Sequence, residues 1–209
     1  MRNVTDRTSN PFGMEPSCER FVPGYGDANA HFHVVGDHPG VHGGIDTGVP
    51  FTNDAGHRLQ AALEAAGLLE TTGDEPRVDQ TYLSYLHMCV PDGEEPDERS
   101  YTEMERYLDA ELRAIAAHVL LPVGARATAH VLRNYTARSV TSPLDMAALH
   151  GTELRGSGFL VVPVRDPAEW DDEDHDRLVA GLQELQRTDY RREVDLGRFI
   201  AGDQPYHVR

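Results

Sequence analysis

Residues 31–40, His-Phe-His-Val-Val-Gly-Asp-His-Pro-Gly, decide how the chain is read. His31–Val35 alternates and ends on two valines, the pattern of a short buried strand. The chain then turns sharply through Gly36 to Gly40, since glycine tolerates unusual backbone angles and proline fixes its own. Further on, Gly48-Val-Pro-Phe-Thr-Asn-Asp-Ala-Gly56 leads into a helix that Asn53 or Asp54 can cap. Strand, glycine-proline loop and capped helix make the start of an α/β unit, whose ligands bind beyond the carboxyl ends of the strands. Asp37 and His38 stand in that loop: the first can orient a water or stabilise positive charge, the second can donate or act as acid and base. The plainer alternative is a loop that needs Gly and Pro to turn, with Asp37 as a cap.

Working outward, the helix after Asn53 runs to about Leu69, with Leu59, Ala62, Leu63 and Ala66 on one face. Thr81–Cys89 reads as a second strand. Ser100 or Thr102 opens a helix carrying Met104, Tyr107, Leu108, Leu112 and Ile115. His118–Val123 and Phe159–Pro163 read as strands three and four, with a helix from Gly124 between them and an acidic amphipathic helix over Asp171–Thr188 after them. Strands alternating with helices predict a three-layer α/β/α sandwich around a central four-stranded parallel sheet. Residues 1–21 form a polar leader expected to pack loosely, 22–189 one domain, and 190–209 a tail expected to be disordered.

The chain has 209 residues, enough for one medium domain with a real core. Its net charge is −16, and all 19 basic residues are arginine. Acids spread along the whole chain fit a halophilic protein with an acidic surface, working where salt screens self-repulsion. The other reading is avoidance of nucleic acid, since such a surface repels phosphates at ordinary salt. Two cysteines, Cys18 and Cys89, do not make a disulfide framework, which points to a reducing cytoplasm. No apolar run approaches membrane-spanning length and the N-terminus lacks signal-peptide character, so a monomeric cytoplasmic protein without membrane contact is expected.

Several constellations invite other chemistry. His31, His33, His38, His42 and His57 crowd one region, but no HExxH or CxxC accompanies them, and no metal is expected. Gly24-Tyr-Gly26 precedes a strand, whereas a dinucleotide fingerprint must follow one. Ser157 lacks the strand–turn–helix setting of a nucleophile elbow and reads as a turn. Arg165-Asp166-Pro167 follows strand four at the same sheet edge as Asp37, where the two loops can converge on one crevice. Asp166 followed by Pro167 also satisfies a helix N-terminus, with Asp166 as its cap.

Residues 10–170 resemble the uracil-DNA glycosylase superfamily, in particular its family 4 branch. The family's V-P-G-x-G lead is similar to Val22-Pro-Gly-Tyr-Gly26, and its G-E-x-P-G loop to Gly36-Asp-His-Pro-Gly40. Its G-x-P-F-V-G-x-A-G element is similar to Gly48–Gly56, and its P-x-V-I-x-x-L-G-x-x-A element to residues 117–127. Such enzymes take a damaged base out of the DNA helix and hydrolyse its glycosidic bond. The resemblance implies that Asp37 stands at the catalytic Glu, Phe51 at the ring that stacks on the flipped base, and Tyr85 at the Asn that reads its edge. It also implies that Asp166 stands at the catalytic His, with Arg165 and Trp170 flanking it where the family probes DNA.

The departures from the pattern are specific. Asp37 is one methylene shorter than Glu. Tyr85 lacks the paired donor and acceptor of an amide. An ionised Asp166 repels a leaving uracil anion, so His38 or Arg165 would have to supply the positive partner. The family's iron–sulfur cluster takes four cysteines; here only Cys18 and Cys89 fall at plausible places, and Glu105 lies where the last ligand belongs. Two thiolates do not hold a [4Fe–4S] cluster, so no cofactor is expected. Two functions follow: a DNA glycosylase acting on DNA with a damaged base, with altered specificity or weak activity, or a catalytically degraded member that binds DNA or a protein partner.

Overall fold

The computed structural model describes residues 5, 7–93, 95–136, 140, 143–156 and 158–199. At its centre lies β2 (Phe32–Gly36), buried along its whole length. It pairs in parallel with β5 (Thr81–Tyr85) on one side and β6 (Val119–Pro122) on the other, and β6 pairs in parallel with β8 (Leu160–Val161). Strands buried on both faces read as continuous apolar runs, as these do.

The sheet has six strands, not the expected four, in the order β1-β5-β2-β6-β8-β7. The additions are antiparallel edge strands, β1 (Tyr25–Gly26) on β5 and β7 (Leu154–Arg155) on β8. Each is two residues long, too short to leave any period in the sequence. A separate hairpin joins β3 (Leu69–Thr71) to β4 (Arg77–Val78).

Alternation along the strands divides the core into two layers. Phe32, Val34, Leu83, Val119 and Leu121 face Leu59 and Leu63 of α2 (Asp54–Ala65) and Leu178 and Leu182 of α6 (Asp172–Arg187). Val35, Leu120 and Val161 face Leu108 and Leu112 of α3 (Glu98–Ile115) and Val131 of α4 (Gly124–Tyr135). Caps fix where the helices start. Asn53 accepts from the Gly56 N–H at 2.8 Å, Asp97 from the Ser100 N–H at 2.8 Å, and Asp171 forms a capping box with Asp174.

The chain ends depart from expectation. The leader is held by bonds from the Asn10 N–H to the Gly24 carbonyl and from the Gly26 N–H to the Thr8 carbonyl. Cys18 is joined to Cys89 in a disulfide, with Cα atoms 6.0 Å apart, which corrects the expectation that these cysteines stay reduced. Residues 190–199 are not disordered but form α7 (Tyr190–Phe199), because Tyr190 and Val194 are apolar enough to join the core. Residues 200–209 and Ser157 lie outside the described residues. Among the described residues, no helix is long and apolar enough to cross a membrane.

Between the sheet and α3, polar side chains are buried in pairs. His33 Nε2 lies 2.7 Å from the Ser84 hydroxyl, and the Tyr82 hydroxyl donates to Glu111 at 2.9 Å. Burial raises the Glu111 carboxyl to about 7 and lowers His33 to about 3.

Candidate active site

The carboxyl ends of β2, β5, β6 and β8 meet at one edge of the sheet. Ladder bonds continue past the strands: the Leu86 N–H donates to the Gly36 carbonyl, and the His87 N–H to the Asp37 carbonyl at 3.0 Å. On the other flank, the Gly124 N–H donates to the Val164 carbonyl, which draws the Arg165–Asp166 loop beside the start of α4. Between these loops opens a cleft of about 830 Å³.

Asp37 lies on its wall, with its side chain 14% exposed. Its backbone is held from both sides, because its own N–H donates to His42 Nδ1 at 3.2 Å. The Tyr101 hydroxyl donates to Oδ1, and Arg126 Nε lies 3.7 Å from Oδ2. Arg126 in turn sits 4.4 Å above the Tyr101 ring and pairs with Glu98 at 2.6 Å. Burial, together with the bond to Asp37, raises the Tyr101 hydroxyl, so it stays protonated and donates.

His42 also lines the cleft, at the end of the short helix α1 (Pro39–His42), and is 1% exposed. Since Nδ1 accepts from the Asp37 N–H, the neutral ring carries its hydrogen on Nε2. That Nε2 has no partner among the described residues. Burial lowers the His42 pKa, opposed by Asp166 and Asp37, so the neutral donor form prevails. The ring thus keeps a buried N–H unsatisfied beside the cleft.

His38 caps α1, its Nδ1 accepting from the Gly40 N–H at 3.1 Å, and it does not line the cleft. Ligand-capable atoms of Asp37, His38 and Glu95 lie within 4.8 Å of one another, but the set suits hydrogen bonding better than a cation. The cap leaves His38 Nε2 protonated, without a lone pair for a metal, and Arg126 already faces Asp37.

Asp166 lies on the cleft opposite Asp37 and accepts from the Ala168 N–H at 2.9 Å, capping the 3-10 turn Pro167–Glu169. The remaining candidates lie elsewhere. Phe51 is 0% and Tyr85 1% exposed, with ring centroids 5.2 Å apart. Phe51 adopts φ +62°, and the Gly56 packed beneath it admits no Cβ, which would come within 2.3 Å of the Phe51 carbonyl carbon. Arg165 pairs with Asp174 at 2.8 Å and Glu169 at 3.3 Å. Trp170 is 6% exposed, stacks edge-on against His150 and donates its indole N–H to the Arg165 carbonyl at 2.8 Å. The structure thus brings Asp37 and Asp166 to the cleft, adds His42, Tyr101 and Arg126, and places Phe51, Tyr85 and Trp170 in the core.

Residues 23–177, which carry the sheet and both of these loops, match a known family model, that of the uracil DNA glycosylase superfamily. The chain belongs to the uracil DNA glycosylase superfamily. Among curated superfamily members it is 33% identical to a type-5 uracil-DNA glycosylase of Thermus thermophilus over 143 residues, covering 66% of this chain and 65% of that protein. It is 32% identical to a type-5 uracil-DNA glycosylase of Mycobacterium leprae over 130 residues, 58% of this chain and 57% of the relative. A type-4 uracil-DNA glycosylase of Saccharolobus solfataricus is 24% identical over 149 residues, 70% of this chain and 65% of the relative. The chain therefore spans less than two thirds of the length of these relatives. The superfamily resemblance holds, while the family 4 affiliation read from the motifs has only weak support beside the type-5 similarity.

The family 4 pattern carries an iron–sulfur cluster, and the residues here do not fit one. Both sulfurs are bonded to each other, Met14, Met88 and Met104 pack around them, and Glu105 is exposed beside His130. No four-thiolate cage can form.

Proposed function

We propose that this superfamily member is a DNA glycosylase that hydrolyses the N-glycosidic bond of a damaged base held in the open cleft. The observation that carries this reading is Asp37, fixed by its backbone at the strand end and by Tyr101 and Arg126 at its two oxygens. The carboxylate accepts a proton from water as the water oxygen bonds to the sugar C1′. The C1′–N bond breaks, its electron pair leaves with the base, and the His42 Nε2–H donates to the departing base anion. That donor fills the part for which His38 and Arg165 were candidates: His42 lines the cleft and His38 does not, and Arg165 is paired with Asp174. Asp166, across the cleft, is the second acid of the site.

The substrate is DNA containing a damaged base, met at high ionic strength by a monomer. The cleft walls carry Glu95, Glu98 and Glu105 beside Asp37 and Asp166, and concentrated salt screens their repulsion of phosphates.

One observation favours a second reading, a member that binds DNA or a protein without excising a base: Phe51 and Tyr85 offer no exposed ring face. The test is incubation at high salt with oligonucleotides bearing uracil, hypoxanthine or xanthine, alongside a binding measurement. Excision of any of these supports the glycosylase; retained binding without excision supports the second reading.

A further inference from the structure

α4 buries one face and turns the other into the cleft. Ala127, Thr128, Val131 and Leu132 are buried, whereas Arg126, Ala129, His130, Arg133 and Asn134 line the cleft. Counted from Arg126, the lining residues recur after three, four, seven and eight positions, one continuous face of a helix. We infer that this face is the track for the phosphates of one DNA strand, with Arg133 as its phosphate anchor. The inference deepens the proposed function and rests on it for the identity of the ligand as DNA.

Charge singles out Arg133. The chain has 35 acids against 19 arginines, yet the 12 residues of α4 include no acid. Of the two arginines on the track, Arg126 is already neutralised, by Glu98 at 2.6 Å, Asp37 at 3.7 Å and Glu95 at 3.9 Å. Arg133 is exposed and enters no ion pair among the described residues. Glu105, on α3 across the cleft, lies 3.9 Å from His130 instead. Burial lowers the His130 pKa, so that ring is neutral and adds no charge of its own. Arg165, in the loop that carries Asp166, is taken up by Asp174 and Glu169. A guanidinium left unpaired on an acidic wall is a bidentate partner for a phosphate.

Helix geometry sets the spacing. Arg126 and Arg133 are two turns apart, about 10 Å along the axis. Arg126 lies against Asp37, so Arg133 stands that much further along the track from the acid. A stacked strand rises about 3.4 Å per nucleotide, which places the phosphate at Arg133 about three nucleotides from the base at Asp37. Between the two arginines Ala129 presents only a methyl group, and the strand can lie close to the helix there.

The probe is an unmodified DNA duplex, followed by fluorescence anisotropy across a salt series. Arg133→Ala is expected to weaken binding about tenfold at fixed salt, the loss of one charged hydrogen-bonded contact. It should also raise the slope of log affinity against log salt by about 0.9, the effect of one phosphate contact. Arg133→Lys keeps the charge and should restore the wild-type slope. Arg187→Ala, on α6 and outside the cleft, removes the same charge and should change affinity little, because salt screens it. Equal losses in Arg133→Ala and Arg187→Ala overturn the inference, since net charge then accounts for the binding. An unchanged slope in Arg133→Ala overturns it too, as does a wild type without affinity for the duplex. Nothing in this duplex can be excised, so the two readings fail separately. Arg133-dependent binding without excision of any damaged base contradicts the glycosylase alone, and excision with binding indifferent to Arg133→Ala contradicts the track alone.

Discussion

Tyr101, in the first turn of α3, donates its phenolic hydrogen to Asp37, the carboxylate presented by the loop after β2. A helix covering one face of the sheet thereby orients the acid at its edge, and Arg126 from α4 lies against the same pair. A hydrogen bond to a charged group contributes ~1.5–3 kcal/mol. Tyr101→Phe is therefore predicted to slow single-turnover excision by about ten- to a hundredfold in a variant that stays folded. An unaltered rate in a folded variant argues that Tyr101 does not position Asp37.

The acidic cleft predicts an unusual salt response. A protein that grips phosphates with basic residues loses DNA affinity steeply as salt rises. Here the walls carry more acids than arginines, and Arg165 is already paired with Asp174 and Glu169. Affinity for duplex DNA, followed by fluorescence anisotropy, should stay level or rise with salt, and Arg165→Ala should leave it unchanged. A steep fall with salt, flattened by Arg165→Ala, contradicts this.

The disulfide closes a long loop. Cys18 and Cys89 are 71 residues apart, and the chain-entropy model gives ~4 kcal/mol for such a link. Reduction, or Cys18→Ser, should lower the melting temperature by about 10 °C on the scaling for chains of this size. Thiol titration of the unreduced, denatured protein should find no free thiol. Two reactive thiols in that state contradict the pairing.

How far the sequence reveals this molecule depends on whether the information is local. β2 and its loop are legible because strand alternation, Gly36, Pro39 and Gly40 are contiguous. The starts of α2 and α6 are legible because Asn53 and Asp171 cap within three residues. The partners of Asp37 are not: His42, Tyr101 and Arg126 come from three segments that meet only when the parallel strands align. Arg126 alone had a signal, since it follows the glycine that opens α4 just past a strand end. Trp170 is placed at the DNA only by the resemblance, and the turn at Pro167 instead folds its ring onto His150. The Cys18–Cys89 pair spans 71 residues and leaves no local trace.

Stability should bend with pH from two opposed sources. Glu111 is raised to about 7 in the fold, so its contribution is full below the unfolded carboxyl range near 4.5 and is lost as pH rises through 7. His33 is lowered to about 3, so its contribution is full above the unfolded value of 6.5 and is lost as pH falls toward 3. Glu111→Gln should therefore gain stability relative to wild type as pH rises from 5 to 8, measured by urea unfolding. A constant difference across that range contradicts a buried protonated Glu111.

The most direct test of the central claim is single-turnover excision at high salt, on duplexes carrying uracil, hypoxanthine or xanthine, by wild type and Asp37→Asn. Wild type should release at least one of these bases, while Asp37→Asn stays folded, binds the same duplex and loses that activity by about two orders of magnitude or more, as expected for removing a catalytic base. Release of a base by Asp37→Asn at the wild-type rate would contradict it.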